Sequence, residues 1–111
     1  MTGAEAEDYA AVFLQQQNLQ LLARNYSCRF GEIDLIMSDG KTLVFVEVRM
    51  RTSAAFGGAA ASITPAKQAR LIHTAQCYLA DLKPVPPCRF DAVLLSGNNS
   101  GIEWIKNAFS E

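Results

Sequence analysis

Two carboxylates and one guanidinium on neighbouring candidate strands have the side-chain chemistry of a site for a divalent cation and a phosphate. Asp34 falls in a predicted strand over residues 31–37, and Glu47 and Arg49 fall in a second over residues 43–49. Because side chains alternate between the faces of a strand, Glu47 and Arg49 share one face. Carboxylate oxygens suit Mg²⁺ and Mn²⁺, and arginine binds phosphate. A structural salt-bridged face, with Arg49 pairing Glu47 or Asp34, is the alternative that the spacing leaves open.

The turn between these two strands decides how close the carboxylates lie. If Asp39 and Gly40 form a two-residue turn, Asp34 lies diagonal to Glu47 on the same face. A loop that extends two residues further toward the C-terminus places Asp34 directly opposite Glu47. Only a one-residue slip of the strands would put Asp34 and Glu47 on different faces. In both favourable registers the Cβ atoms lie about 4.5–8 Å apart. Two carboxylates among apolar neighbours repel each other and lose hydration, and a shared divalent cation would relieve both costs.

The rest of the pattern predicts the elements that position this pair. Thr2 with Glu5 forms a capping box for a first helix, and Thr64 with Pro65 begins a second. The predicted order is a helix over residues 2–17, strands over 20–25, 31–37 and 43–49, a helix over 64–82, and strands over 89–95 and 102–106. Residues 53–62, rich in Ala, Gly and Ser, are predicted as a loop. This order predicts a single α/β domain over residues 1–111, with a central mixed sheet of about five strands flanked by helices.

Composition and charge limit the classes of function. Half of the 111 residues are hydrophobic and the formal net charge is −1, so the chain is globular and its bulk charge does not predict a nucleic-acid partner. The segment between Glu47 and Asp81, however, holds several cations and no carboxylate. These cations are Arg49, Arg51, Lys67 and Arg70. On the second helix, Lys67, Arg70 and Thr74 share one predicted face, which suits phosphate contacts or, alternatively, is a solvated face.

Other features predict location and structural contacts. No apolar run approaches the roughly 20 residues that span a bilayer, and the acidic N-terminus lacks the layout of a secretory signal. The three cysteines include no CxxC pair, which disfavours a disulfide framework and suits a reducing compartment. The sequence therefore predicts a soluble, cytoplasmic protein with no membrane partner. Arg89 and Asp91, which alternate with Phe90 on a predicted strand, are expected to form a structural ion pair.

The motifs that carry these residues resemble those of a nuclease superfamily. The segment Gly31-Glu-Ile-Asp34-Leu-Ile, followed by Phe45-Val-Glu47-Val-Arg49 and Arg51, resembles the core of the PD-(D/E)xK nucleases. More closely, the chain resembles the bacterial YraN-type family, which is itself similar to archaeal Holliday-junction resolvases. Further matching pieces extend the resemblance over nearly the whole chain, and they include Ala6-Glu7-Asp8, Arg89-Phe-Asp91 and Asn107-Ala-Phe109.

The resemblance implies a restriction-endonuclease-like core and Mg²⁺- or Mn²⁺-dependent hydrolysis of DNA phosphodiester bonds, with branched DNA as one substrate class. It implies that Asp34 and Glu47 bind the metal together with the backbone carbonyl of Val48. Glu7 matches a first-helix acid that approaches the same catalytic site. The nucleic-acid contacts it suggests are Arg51, Lys67 and Arg70.

One position departs from the superfamily pattern, which ends in lysine where this sequence has Arg49. Arginine stays protonated, so Arg49 can bind phosphate and stabilise developing charge but cannot act as a general base. Two functions therefore remain open. The chain is either an endodeoxyribonuclease, or a non-catalytic nucleic-acid- or protein-binding domain that retains the nuclease fold. Cleavage of both strands of a duplex would favour a symmetric homodimer.

Overall fold

The predicted order of helices and strands is confirmed. The computed structural model describes residues 2–51, 63–96 and 101–110. Its elements are α1 (Gly3–Gln16), β1 (Gln20–Cys28), β2 (Gly31–Asp39), β3 (Thr42–Arg51), α2 (Pro65–Leu79), β4 (Cys88–Ser96) and β5 (Ile102–Phe109). The strands run one to three residues past their predicted ends, because backbone pairing continues through polar residues such as Ser27 and Ser38. The predicted loop over residues 53–62 lies outside the described residues.

The five strands form one mixed sheet in the order β1-β2-β3-β4-β5. Neighbouring strands are antiparallel except for β3 and β4, which are parallel and are connected through α2. A parallel pair needs such a crossover connection, and the helix that supplies it here lies on one face of the sheet. Within the described ranges, neither helix combines the length and apolar character needed to cross a bilayer.

Each helix covers one face of the sheet, as strand alternation requires. On the α1 side, Ala10 and Leu14 pack against the even-numbered valines of β3, Val44 and Val46. On the α2 side, Leu71 and Ala75 pack against a second buried cluster that contains Ile36, Leu43, Phe45 and Phe90. Glu47 and Arg49 continue the odd-numbered series of β3 and therefore lie on the α2 side.

Both predicted helix starts are confirmed by their caps. In α1, the Thr2 hydroxyl accepts from the Glu5 N–H at 3.1 Å, and the Thr2 N–H donates to Glu5 Oε1 at 2.7 Å. In α2, the Thr64 hydroxyl accepts from the Lys67 N–H at 3.2 Å, with Pro65 in the first turn. This cap fixes the position of Lys67 in the first turn of α2. The second helix ends at Leu79, three residues before the predicted end, with Ala80 as its C-cap.

The hairpin between β2 and β3 adopts the register that sets Asp34 opposite Glu47. Asp39 pairs with Thr42, and the pairing continues to Leu35 with Val46, so the next positions along both strands are Asp34 and Glu47. This is one of the two registers that the sequence left open. The turn is formed by Gly40, at a φ of +61°, and the residue after it, while Asp39 remains in the strand, where its carboxylate binds Arg89.

Asp91 is a fully buried carboxylate with a complete set of partners, and its predicted ion pair with Arg89 is confirmed. Arg89 Nε lies 3.0 Å from Asp91 Oδ1, and Trp104 Nε1 donates to Oδ2 at 2.9 Å. The Asn107 N–H also donates to Oδ1 at 2.9 Å, from a residue at a φ of +54°. These contacts tie β4 to the irregular end of β5 and leave Asp91 no lone pair to offer a metal.

We expect Asp91→Ala to lower the free energy of unfolding by about 3–5 kcal/mol, because it removes the fully buried acceptor shared by part-buried donors on Arg89, Trp104 and Asn107. Chemical denaturation followed by circular dichroism measures the change. Asp81→Ala removes an exposed carboxylate by the same substitution and should change the free energy by less than about 0.5 kcal/mol. Equal effects of the two substitutions would contradict the structural role assigned to Asp91.

Candidate metal and nucleic-acid site

The candidate site lies where β2 and β3 separate. Their backbone pairing ends at Leu35 with Val46, whereas β3 stays paired with β4 as far as Arg51 with Ser96. The first residues of β2 remain paired with β1, as in Ser27 with Glu32. The sheet therefore opens at Asp34 and Glu47, near the carboxyl ends of the parallel strands. In α/β sheets this is the end at which ligands bind.

Asp34 takes the place of the missing ladder partner. Its Oδ2 accepts a hydrogen bond of 2.9 Å from the backbone N–H of Val48. In an extended strand the N–H and C=O of one residue point to the same side, so the Val48 carbonyl also points toward Asp34. The structure thus brings the predicted backbone ligand and the predicted carboxylate ligand to the same side of β3.

Glu47 is a buried acid with cationic neighbours. Its side chain is 5% exposed, Lys67 Nζ lies 2.6 Å from Oε2, and Arg49 Nη1 lies 3.7 Å from the same oxygen. The lysine contact is an ion pair without hydrogen-bond geometry, and Oε2 has no hydrogen-bond partner among the described residues. A buried carboxylate requires a cationic partner, because its lost hydration costs several kcal/mol. Removal of one partner of a buried ion pair destabilises a protein by about 3–5 kcal/mol.

Asp34 and Glu47, called here the carboxylate pair, are coupled electrostatically. Burial raises the pKa of the Asp34 carboxyl to about 8, and a hydrogen bond with Glu47 adds to the rise. The Val48 N–H opposes this shift, whereas the negative charges of Glu47 and Glu7 reinforce it. At neutral pH Asp34 therefore holds a proton. A cation that binds there would displace this proton.

Two clefts meet at the carboxylate pair and Lys67. The larger, of about 490 Å³, extends toward the first turns of α1 and is lined also by Glu7 and Arg49. The smaller, of about 240 Å³, extends toward the turn between β1 and β2 and is lined also by Arg70. Another cleft, of about 550 Å³, runs along α1, and its described lining includes none of the predicted site residues.

Most of the residues predicted for the site lie at these two clefts. The carboxylate pair, Val48, Arg49, Lys67 and Glu7 line the larger cleft, and the exposed Arg70 lines the smaller one. The predicted contact at Arg51 lies outside the side chains that the structure describes. The predicted stripe on α2 is wrong at Thr74, which is fully buried and donates its hydroxyl to the carbonyl of Arg70.

Lys67, predicted as a phosphate contact, reaches the buried carboxylate of Glu47 with its ammonium. The helical pattern assigned this residue to a face of α2 and did not predict this ion pair. A signal was nevertheless present: strand β3 has arginine at the position of the expected lysine, and the first turn of the next helix carries a lysine. The fold brings that amine to the same carboxylate from another element.

The donors present fit a hard divalent cation with part of its hydration shell. The carboxylate pair supplies two oxygen ligands, one of which, Glu47 Oε2, is buried without a hydrogen bond. Among the described residues no three His, Cys, Asp or Glu side chains form a metal-binding group, and Glu7, the possible further ligand, lines the same cleft as the carboxylate pair. Mg²⁺ is commonly bound by one or two carboxylates while it keeps several waters. Asp34, Glu47 and the Val48 carbonyl suit that mode.

Comparison with known proteins gives one consistent result. The profile of the uncharacterised protein family UPF0102 matches residues 6–95. A UPF0102 protein of Nitrosomonas eutropha is 65% identical over 109 residues, which cover 98% of this chain and 93% of that protein. A UPF0102 protein of Nitrosomonas europaea is 67% identical over 110 residues, with the same coverage. One of Janthinobacterium is 56% identical over 108 residues, covering 97% and 86%.

The raised pKa of Asp34 predicts how stability changes with pH. Because the folded state holds a proton that the unfolded state loses near its ordinary pKa of 3.8, this group stabilises the fold less as the pH rises toward about 8. Without added metal, the melting temperature of the wild type should therefore fall more steeply between about pH 5 and about pH 8 than the melting temperature of Asp34→Asn. Asp81→Asn, at an exposed position, should follow the wild type. Parallel curves for wild type and Asp34→Asn would contradict the shifted pKa.

Proposed function

The chain belongs to the UPF0102 family, and we propose that it is a metal-dependent endonuclease that hydrolyses phosphodiester bonds of DNA. The observation that carries the proposal is the carboxylate pair at the opened end of the sheet, with the Lys67 ammonium 2.6 Å from Glu47. Few structural roles explain two acids that share a buried site, since each lowers the stability of the other's charge. Phosphate chemistry with a divalent cation explains both acids and the amine.

Asp34 and Glu47 would hold Mg²⁺ or Mn²⁺ together with the Val48 carbonyl. The chemistry that such an ion supplies is polarisation of a phosphoryl oxygen, a lowered pKa for bound water and stabilisation of the leaving alkoxide. The Val48 N–H keeps Asp34 Oδ2 in place, so one carboxylate is oriented by the backbone before any ligand binds. Glu7, on the wall of the larger cleft, adds negative charge beside the carboxylate pair.

In the superfamily pattern one lysine follows the second acid, and here we assign its roles to two residues, Lys67 and Arg49. A lysine ammonium can give up its proton and can orient a water molecule, whereas a guanidinium cannot be deprotonated in a protein. Lys67, which contacts Glu47 directly, is therefore the residue that we assign to the attacking water. Arg49, 3.7 Å from the same carboxylate and about one third exposed, is assigned to the scissile phosphate.

The distribution of cations supports a nucleic-acid substrate. Arg49, Lys67 and Arg70 line the two clefts on either side of the carboxylate pair. Contacts of this kind supply affinity for phosphate without regard to base sequence. The proposal includes a preference for branched DNA, which the resemblance to resolvases supports. It also includes a homodimer, because two copies of the site would cut both strands of a duplex. Action in the cytoplasm is supported by the absence of a CxxC pair.

A second function is favoured by one specific observation. Lys67 already compensates Glu47, and β3 lacks the lysine of the superfamily pattern, so the site is stable as an ion pair without a metal. A DNA-binding domain without hydrolytic activity would need only the cations of the clefts. The two functions differ in what the carboxylates do, since only the nuclease requires them for anything beyond structure.

Cleavage of supercoiled plasmid and of synthetic four-way junctions in Mg²⁺ and in Mn²⁺ tests the proposal. We expect Asp34→Asn and Glu47→Gln each to reduce the cleavage rate by roughly 100-fold or more while the proteins remain folded, because each removes a metal ligand. Asp81→Asn makes the same chemical change at an exposed position and should cut like the wild type. Wild-type cleavage by Asp34→Asn or Glu47→Gln would refute the site.

The same assay separates the two functions. In the nuclease, Lys67→Arg keeps the charge but loses the titratable amine, so DNA affinity should persist while cleavage falls. Arg70→Ala should instead weaken DNA binding and reduce the salt dependence by about one counterion, with little change in rate at saturating DNA. If the wild type binds DNA with this salt dependence but cuts none of these substrates with either metal, the binding domain is the correct function.

A further inference from the structure

Two of the three cysteines meet at the contact between β1 and α2, away from the carboxylate pair. Cys28 is the last residue of β1, and Cys77 lies in the last turn of α2. Both are free and half-buried. Cys88, the third, lies at the start of β4, where its thiol donates to the carbonyl of Pro86 at 3.2 Å. The function proposed above uses none of these thiols.

Contacts on both sides of Cys28 align it with the turn of α2 that carries Cys77. On one side, the rings of Tyr26 and Tyr78 meet edge-to-face with centroids 5.2 Å apart. On the other, the rings of Phe30 and His73 lie 5.3 Å apart. Because Tyr26 and Cys28 share a strand face, and His73 and Cys77 are one helical turn apart, these two contacts bracket the cysteines. The packing therefore places Cys28 beside the turn of α2 that carries Cys77.

The two thiols are chemically different as a result. Burial opposes ionisation of Cys28, but hydrogen bonds from the Phe30 N–H and from Cys77 outweigh it and lower the pKa of the Cys28 thiol. Its hydrogen bond with Cys28 raises the pKa of the Cys77 thiol, and burial adds to that rise. A thiol with a lowered pKa is the better attacking group, and a neighbouring thiol of higher pKa can resolve the product.

We propose that Cys28 and Cys77 form a reversible disulfide by exchange with a low-molecular-weight disulfide. The Cys28 thiolate attacks one sulfur of the small disulfide, forms a mixed disulfide and expels a thiolate. Cys77 then loses its proton and attacks the Cys28 sulfur, so the protein disulfide forms and a second thiolate leaves. The pair is oxidised by two electrons and loses two protons, and the small disulfide is reduced to two thiols.

The alternative use of this pair, as part of a metal site, is disfavoured by the structure. His73 lies on the same turn of α2, but it does not form a three-ligand group with the cysteines in the described part of the chain. The disulfide, in contrast, needs only the two sulfurs. It would join β1 to α2, the helix whose first turn carries Lys67, and would close the chain over residues 28–77. Such a closure restricts the unfolded chain, so the oxidised protein should melt at a higher temperature.

The proposal is tested by equilibrating the full chain with mixtures of reduced and oxidised glutathione. The reaction is then quenched with acid, and the mass of the intact protein is measured by mass spectrometry. We expect the wild type to lose two hydrogen atoms and to carry no glutathione, and peptide mapping should assign the bond to Cys28 and Cys77. Cys88→Ser, the matched control, should behave in the same way. Cys28→Ser and Cys77→Ser should instead accumulate a mixed disulfide with glutathione, and in concentrated guanidinium chloride the preference for this pairing should disappear.

Other outcomes overturn the proposal, and they require only the wild type. It is wrong if the protein keeps three free thiols in excess oxidised glutathione or if mapping assigns the bond to Cys88. A mixed disulfide at Cys28 that Cys77 never resolves would also refute it. Because the pair takes no part in cleavage or metal binding, these outcomes are independent of whether the chain proves to be a nuclease.

Discussion

The ion pair between the buried carboxylate of Glu47 and the ammonium of Lys67 is the contact on which the site depends. Glu47 lies on the central strand β3 with 5% of its side chain exposed, and such an acid is stable only when a cation reaches it. The cation comes from the first turn of α2, where the Thr64 cap and Pro65 fix the start of the helix. The crossover from β3 to β4 therefore has two consequences, since it covers the sheet and delivers the compensating charge.

The separation of β2 from β3 opens the sheet beside the ion pair of Glu47 with Lys67. Where backbone pairing ends, the Asp34 carboxylate accepts the Val48 N–H that a ladder partner would otherwise take. Two acids then lie side by side, Glu47 buried and Asp34 half-buried, and burial together with the neighbouring Glu47 raises the pKa of Asp34. In the free protein the site therefore holds a proton on Asp34 and the ammonium of Lys67 beside Glu47.

The local parts of this arrangement could be predicted from the sequence. Alternation along β3 placed Glu47 and Arg49 on one face, and the pattern of the hairpin allowed only registers that bring Asp34 to Glu47 unless the strands slip by one residue. Which of the two registers the hairpin adopts was left open, and in the structure Asp39 stays in the strand, where its carboxylate pairs with Arg89. That partner lies on β4, far along the chain, and no local rule reveals it.

The contacts between distant elements could not be predicted for the same reason. Lys67 was assigned to a helix face by periodicity, but whether that face meets the sheet at Glu47 depends on where the crossover places α2. The meeting of Cys28 with Cys77 likewise depends on the packing of α2 against the end of β1, and Cys28 lies three residues beyond the predicted end of that strand. Periodicity gives the face of a residue, and only the packing of elements gives its neighbours.

The central claim is that Asp34 and Glu47 together bind a divalent cation, and calorimetric titration with Mn²⁺ at neutral pH tests it most directly. The titration is made in two buffers that differ in ionisation enthalpy, so that the difference in heat reports proton release. The wild type should show saturable binding with release of a proton, since the pKa of Asp34 is about 8. Asp34→Asn and Glu47→Gln should lose this binding, and Asp81→Asn should keep it. Absent binding in the wild type, or equal binding in all four proteins, would contradict the account.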